Sequence, residues 1–256
     1  MEQLIKDIPA AEMRPSIEVC GIELKNFQAW RKQIWFWRTH LDIFIMEYFK
    51  VELKDTQRIE AREIGNSARS FLTQSRGYGK TWITALCAVA LAVLYPGSMI
   101  AVVSGTAQQA TLVLKKIDDE LIKIPNILRE IEAKGHAPVQ VSNEKGRCRF
   151  KNGSKIESYS MRSFLGNRAK IIIVDEAPEV KKKDIEKVVN PVLNTTRMVS
   201  HQAHFEDYDS KMISITSACF KSSYYYTSFI GALNKMAKLD KESKDYFACA
   251  LDYRSA

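Results

Sequence analysis

Two segments of this chain have residue types that fit phosphoryl chemistry: Gln74-Ser75-Arg76-Gly77-Tyr78-Gly79-Lys80-Thr81 and, far downstream, Ile171-Ile172-Ile173-Val174-Asp175-Glu176. Glycines let a backbone curl until its N–H groups face phosphate oxygens. A following lysine supplies positive charge to the β- and γ-phosphates, and the next hydroxyl can ligate Mg²⁺. Lys80 and Thr81 stand at those places, with Ser75, Arg76, Gly77, Tyr78 and Gly79 forming the rest of the loop. In the second segment Asp175 would serve the metal and Glu176 the attacking water, both at the tip of a buried strand. ATP and Mg²⁺ are the reagents these residues imply.

The strict loop pattern begins with Gly where this chain has Gln74, and Gly-Lys-Thr also occurs in ordinary turns. The flanks separate the two readings. Phe71-Leu72-Thr73 reads as a short strand entering the loop, and residues 82–94 read as a buried helix leaving it, stopped by Pro96-Gly97. That order aims a helix N-terminus, with its unpaired N–H groups, at an anion.

The apolar share of 46% and charged share of 27% over 256 residues suit a globular chain with one large core or two modest ones. The longest apolar run, 82–94, falls short of the roughly 20 residues of a membrane span. Glu2 and Asp7 stand where a secretory leader needs basic and then apolar residues, so the expected location is cytosolic, with no membrane partner. Cys20, Cys87, Cys148, Cys219 and Cys249 are odd in number and widely spaced, which fits reduced thiols better than a disulfide framework or a zinc site. A net charge of +8 suits a polyanion partner without specifying one.

Apolar residues at Phe27, Trp30, Ile34, Trp37, Leu41, Phe44 and Tyr48 recur in steps of three and four, which predicts one long helix with an aromatic face. Packing against the core is the simpler use of that face; stacking on nucleic acid, with Arg31, Lys32 and Arg38 interleaved, is the other. Beyond the loop the pattern predicts a strand over 99–104, a helix over 106–123, and a hairpin from 147–150 and 155–159 around Asn152-Gly153. A strand over 170–174, a helix over 184–192, a strand over 212–216, a helix over 225–238 and a strand over 246–251 follow. The expected fold is α/β, a mainly parallel sheet with helices on both faces, preceded by a helical N-terminal segment.

Taken together these motifs resemble the ATPase domain of the large terminase subunit of tailed bacteriophages, over roughly residues 53–251. The phosphate loop there commonly reads Ser-Arg-x-x-Gly-Lys-Thr, and Ser75-Arg76-Gly77-Tyr78-Gly79-Lys80-Thr81 matches it without a leading glycine. Leu53-Lys54-Asp55-Thr56-Gln57-Arg58 resembles the family's adenine-recognising segment; the Gln57 carboxamide offers the donor and acceptor needed at an adenine edge. Ile213-Ser214-Ile215-Thr216-Ser217-Ala218 resembles the strand that couples hydrolysis to movement, which implies Thr216 and Ser217 as γ-phosphate sensors. Where the family often has Arg-Gly, this chain has Leu165-Gly166, leaving Arg162 and Arg168 as the candidates for an arginine that reaches a neighbouring subunit's nucleotide.

The resemblance implies a P-loop NTPase fold of the RecA-like class, with residues 1–52 as a helical lead-in and 53–256 as the ATPase domain. It implies double-stranded DNA, a portal protein on the procapsid and a small terminase subunit as partners, a homo-oligomeric ring on the portal, and work in the host-cell cytoplasm with transient docking to the procapsid. Lys80, Thr81, Asp175, Glu176 and Arg76 would then act in hydrolysis. The metal-dependent nuclease of full-length large terminases is expected to lie outside this chain, which reads as an isolated motor domain.

Two further clusters have competing uses. Lys181-Lys182-Lys183 suits either a solvated loop or DNA phosphates, and Glu206, Asp207 and Asp209 suit a flexible acidic loop better than a nuclease metal cluster. Two other functions fit parts of the sequence: a helicase-type DNA translocase, and a non-hydrolysing nucleic-acid-binding or assembly module. Intact Lys80, Asp175 and Glu176 weigh against the last, and turnover of ATP separates it from the others.

Overall fold

The computed structural model describes residues 27–132, 137–190, 210–217 and 221–251. The first half of the N-terminal lead-in, which includes Cys20, and Cys219, Ala218 and the acids Glu206, Asp207 and Asp209 lie outside them.

The chain enters through α1 (Phe27–Thr39) and α2 (Leu41–Phe44), a wide π-helical turn (Ile45–Phe49) and α3 (Asp55–Asn66). Then come β1 (Arg69–Gln74), α4 (Lys80–Leu94), β2 (Met99–Ser104), α5 (Ala107–Asp119), a 3₁₀ turn (Leu121–Lys123) and α6 (Pro125–Glu130). Three strands follow, β3 (Val139–Val141), β4 (Gly146–Arg149) and β5 (Lys155–Ser160), then α7 (Met161–Phe164) and β6 (Ile171–Asp175). The rest is a 3₁₀ turn (Ala177–Glu179), α8 (Lys182–Asp184) with a π turn (Ile185–Val189), β7 (Lys211–Thr216), α9 (Tyr224–Ala237), a 3₁₀ turn (Lys241–Asp245) and β8 (Tyr246–Leu251).

The strands form a single sheet in the order β3-β4-β5-β2-β6-β7-β1-β8. From β5 to β8 every neighbouring pair is parallel, and only β3, β4 and β5 pair antiparallel at one edge. Because side chains alternate across a strand, Ile100, Val102, Ile171, Ile173, Ile213 and Ile215 fall on one face, covered by α4, α5, α3 and the 41–49 segment. Ala101, Val103, Ile172, Val174 and Met212 fall on the other, under α7, the 185–189 turn and α9. Both faces of the central strands are buried, which explains their continuous β-branched runs.

The expected hairpin around Asn152-Gly153 forms, and its turn has a second duty. Asn152 Nδ2 donates to the Ala92 and Val93 carbonyls at 2.9 and 3.0 Å, and Ser154 Oγ donates to Ala92 O at 2.7 Å. These donors satisfy the last carbonyls of α4, which no intrahelical N–H can reach. Buried Lys211 does the same for α3, donating from Nζ to Gly65 O and Ser67 O at 2.7 and 3.0 Å. Asp42, 1% exposed, receives Arg62 Nε and Nη2 at 3.0 and 2.9 Å and so clamps α2 to α3.

The single helix expected over 27–48 is instead broken at His40, which takes φ −131° and ψ 64°. Thr39 Oγ1 donates to Phe36 O at 2.9 Å, and His40 Nδ1 lies 3.0 Å from the same carbonyl. Side chains that bond carbonyls in the last turn offer the backbone an alternative to continuing the helix. The aromatic face packs inward where its side chains are described: Phe44 lies 5.3, 5.1 and 5.0 Å, ring to ring, from Trp37, Tyr48 and Phe49. Arg38 donates to Leu94 O at 2.9 Å and covers the Tyr95 ring at 4.6 Å, a structural use of that cation. Among the described residues no helix is long and apolar enough to cross a membrane, and Cys87, Cys148 and Cys249 carry free thiols. Phe44→Ala is expected to destabilise the fold by about 3–5 kcal/mol, read from the midpoint of denaturant unfolding.

Candidate functional site

In a parallel sheet, neighbouring strands end at the same edge, and ligands bind in the crevice outside their carboxyl ends. Three adjacent strands here, β6, β7 and β1, end in Asp175-Glu176, Thr216-Ser217 and the phosphate loop, with Asp175 in register with Ile215 and Thr216 with Thr73. Residues far apart in sequence therefore meet at one edge.

The loop is shaped by two glycines in the left-handed region, Gly77 at φ 81° and Gly79 at φ 92°. A Cβ built at either meets no atom within 4 Å, so the loop surrounds open space and the requirement for glycine is conformational. Gly79 is the N-cap of α4 and has no side chain to cap the first turn, so the leading N–H groups of the helix are left for an anion. The loop's entry is fixed by Ser75 N–H, which donates to Leu251 O at 3.0 Å, and its exit by Ile83 N–H to Gly79 O at 3.1 Å.

Lys80 Nζ, on the first residue of α4, forms an ion pair with Glu176 Oε1 and donates to Ser217 Oγ at 2.5 Å. Thr216 Oγ1 donates to Glu176 Oε2 at 3.3 Å, and Ser217 Oγ lies 3.4 Å from Oε1. Burial raises the Glu176 pKa, but the Lys80 hydrogen bond and charge, with the Ser217 and Thr216 bonds, outweigh it and hold the carboxyl below its ordinary value. Glu176 adopts φ 49° and ψ 51°, an uncommon conformation for a non-glycine residue and one that turns its side chain back toward the loop side. Asp175, 5% exposed, accepts the Glu176 N–H at 3.1 Å. Burial pushes its pKa up to about 6 despite the nearby Lys80 charge, the state of a buried carboxylate that an added cation would offset. The hydroxyl of half-buried Thr81, on the second residue of α4, has no hydrogen-bond partner among the described residues. A carboxylate and a hydroxyl next to a glycine loop have the donor chemistry that fits Mg²⁺ with a nucleotide.

The remaining expected site residues divide. Arg76 is exposed in the loop and forms no ion pair among the described residues. Gln57 lies in the first turn of α3, where its Oε1 accepts the Lys54 N–H at 3.0 Å and its Nε2 is left to donate. α3 itself rests against the loop, with the Tyr78 hydroxyl facing Thr56. Arg162 and Arg168 are both exposed, but strand direction separates them. Arg162 follows the carboxyl end of β5, on the same sheet edge as the loop, while Arg168 precedes the amino end of β6 on the opposite edge. Of the lysine run, Lys182 reaches Glu186 at 3.7 Å and covers the Tyr224 ring at 5.8 Å, while Lys181 and Lys183 point to solvent.

Sequence reasoning missed the Lys80–Glu176 pairing and the bond from Gln74 to Glu60, which is buried on α3. The available signal was Glu60 sharing a helix face, at a spacing of four, with buried Ile64.

A strand, glycine loop and helix beside an acidic strand tip, on a mainly parallel sheet, define a P-loop NTPase fold. Comparison with known proteins places the chain within that class. The family model "Terminase large subunit, T4likevirus-type, N-terminal" matches residues 71–199, just over half of the chain, which therefore belongs to the terminase large subunit family. The same fold occurs in the ATPase domain of the Thermus phage P74-26 large terminase, at 16% identity and TM-score 0.54, covering 72% of each chain. The HK97 bacteriophage large terminase matches at 16% identity and TM-score 0.57, over 84% of this chain and 43% of that one. A large terminase from a thermophilic bacteriophage matches at 10% identity and TM-score 0.50, over 82% of this chain and 44% of that one. This chain thus covers less than half the length of the latter two proteins. No curated protein matches it.

Gly79→Ala has space for its methyl group but forces a left-handed residue. It is expected to cost about 1–2 kcal/mol, read as a lowered thermal midpoint, and to weaken nucleotide binding.

Proposed function

We propose that this chain hydrolyses ATP and couples hydrolysis to the movement of double-stranded DNA into a procapsid. The observation that carries the reading is the meeting of Lys80, Glu176, Thr216 and Ser217 at the ends of three neighbouring strands, around a loop shaped for phosphate. Family membership favours a packaging motor over a helicase-type translocase or a non-hydrolysing module. The net charge of +8 suits the DNA backbone as partner. Portal, procapsid and small terminase subunit are the further partners of this reading, and a ring of subunits is its working form.

Phosphoryl transfer depends on charge neutralisation and an aligned nucleophile more than on covalent chemistry. Mg²⁺, held through Thr81 and Asp175, would supply positive charge at the phosphate oxygens. Lys80 turns from Glu176 to the phosphates when they enter the loop, because two negative groups then compete for one ammonium. Glu176, released from its ion pair, orients water and takes its proton. Thr216 and Ser217, already bonded to Glu176, link that change to β7 and so to the body of the sheet. Arg76, exposed at the loop, adds charge near the γ-phosphate in cis, and Gln57 meets the base with its unused Nε2.

Steady-state turnover and nucleotide titration test these roles. Lys80→Ala is expected to lose hydrolysis and bind nucleotide weakly, whereas Glu176→Gln keeps binding and loses turnover by about 10²- to 10⁴-fold. A Glu176→Gln protein that turns over at the parent rate contradicts the assignment.

Arg162 lies on the loop's edge of the sheet but roughly four strand spacings from β1, or about 19 Å, a distance that supports reach to a neighbour's nucleotide over its own. In trans it would supply transition-state charge worth about 10³- to 10⁵-fold in rate. Arg168 is the weaker candidate, being on the far edge. Mixing Arg162→Ala subunits with Glu176→Gln subunits is expected to restore activity that neither has alone; turnover independent of protein concentration, with no recovery on mixing, assigns the role to Arg76 in cis.

A further inference from the structure

Among the described residues nine buried side-chain polar atoms lack a hydrogen-bond partner, and six of them, Thr56 Oγ1, Arg58 Nε, Glu60 Oε2, Gln74 Oε1, Ser75 Oγ and Tyr78 OH, belong to α3, the last residue of β1 and the phosphate loop. Thr56 Oγ1 and Tyr78 OH face each other, but buried polar groups are ordinarily paired, so the others need a cause. Two of the six are the leftover oxygens of one bonded pair. Gln74 Nε2 donates to Glu60 Oε1, and both residues are 0% exposed. An ionised carboxylate only accepts, and so does an amide oxygen, so in that state the two leftovers cannot satisfy each other. A proton on Glu60 Oε2 changes this: the O–H donates to Gln74 Oε1, and acid and amide close a ring of two opposed hydrogen bonds.

We propose that Glu60 is a positioning residue that carries a proton in its pairing with Gln74, and that this two-bond clasp sets the entry of the phosphate loop and with it the affinity for nucleotide. The second half rests on the reading of the loop as a nucleotide site. Gln74 holds the place where the strict loop pattern has glycine, immediately before Ser75. A side chain there can be anchored, as a glycine cannot.

The surroundings agree. Burial pushes the Glu60 pKa up from 4.5 to about 7, with the Gln74 bond lowering it less. The groups that face it are neutral: Tyr78 from the loop, Cys249 from β8 with Sγ 4.0 Å from Oε1, and Cys87 from α4, each with its own pKa raised by burial. No ion pair among the described residues includes Glu60. A carboxyl whose folded pKa is raised contributes stability that is full below its unfolded value and is lost as pH rises through the folded one. For Glu60 that window runs from 4.5 to about 7. Above it the clasp keeps one bond and gains a buried charge.

Glu60→Gln keeps the shape and both bonds of the clasp and cannot ionise. In the unliganded protein, the thermal midpoint of the wild type relative to Glu60→Gln is expected to fall as pH rises to about 7 and then to level off; parallel curves from about pH 5.5 to about pH 8.5 overturn the protonated Glu60. With ADP as the probe, the ratio of wild-type to Glu60→Gln dissociation constants cancels the ligand's own titration. That ratio is expected to rise about 5-fold or more across the same range, and a flat ratio overturns the coupling to the loop. Should Glu60→Gln not fold, Gln74→Ala gives the same decision: its ADP dissociation constant should exceed the wild type's most at low pH and approach it at high pH, and a pH-independent ratio overturns the clasp. A wild type that binds no ADP at any pH overturns the nucleotide reading, and with it the coupling, while the unliganded arm still decides whether Glu60 carries a proton.

Discussion

An ammonium held between a carboxylate and a hydroxyl, where three parallel strands end together, is the interaction around which the molecule is arranged. Lys80 is the first residue of a helix, Glu176 follows one strand and Ser217 another, so the contact exists only if β6, β7 and β1 are neighbours with a common direction. That requirement accounts for the parallel centre of the sheet and for helices on both of its faces, since parallel strands need crossovers. The surrounding devices hold the centre in place. Asn152 and Ser154 finish α4 from the hairpin, Lys211 finishes α3 from β7, and Asp42 with Arg62 fixes α2 against α3. Each satisfies polar groups that a buried helix end or charge would otherwise leave unpaired.

Much of the fold could be read from local pattern. Runs such as Met99–Ser104 and Ile171–Asp175 are short, β-branched and apolar on both faces, as buried parallel strands are, and Asn152-Gly153 states its own turn. The loop and the acidic strand tip were legible for the same reason: their chemistry needs particular residues at adjacent positions. The break at His40 was not, because apolar spacing continues through it and only the Thr39 and His40 contacts with carbonyls of the preceding turn interrupt the helix. Glu60 was hidden by distance, since its partner Gln74 belongs to another element and in sequence is only a departure from a pattern.

The order of the strands and their common direction at the loop's edge bear most on function. Arg162 and Arg168 are six positions apart in the chain, yet a strand's length separates the sheet edges on which they lie. Equivalent in sequence, they become unequal once β5 and β6 are known to run parallel. The fold that the chain shares with the phage terminases compared above persists at 10–16% identity.

The central claim is that Lys80 and Glu176 exchange partners when phosphates enter the loop. A crystal structure with Mg²⁺ and a non-hydrolysable ATP analogue tests it most directly. The expected result has Lys80 Nζ on the β- and γ-phosphates, Thr81 and Asp175 toward the metal, and Glu176 turned to a water in line with the γ-phosphate. A nucleotide bound elsewhere, or bound in the loop with the Lys80–Glu176 pair intact, would contradict it.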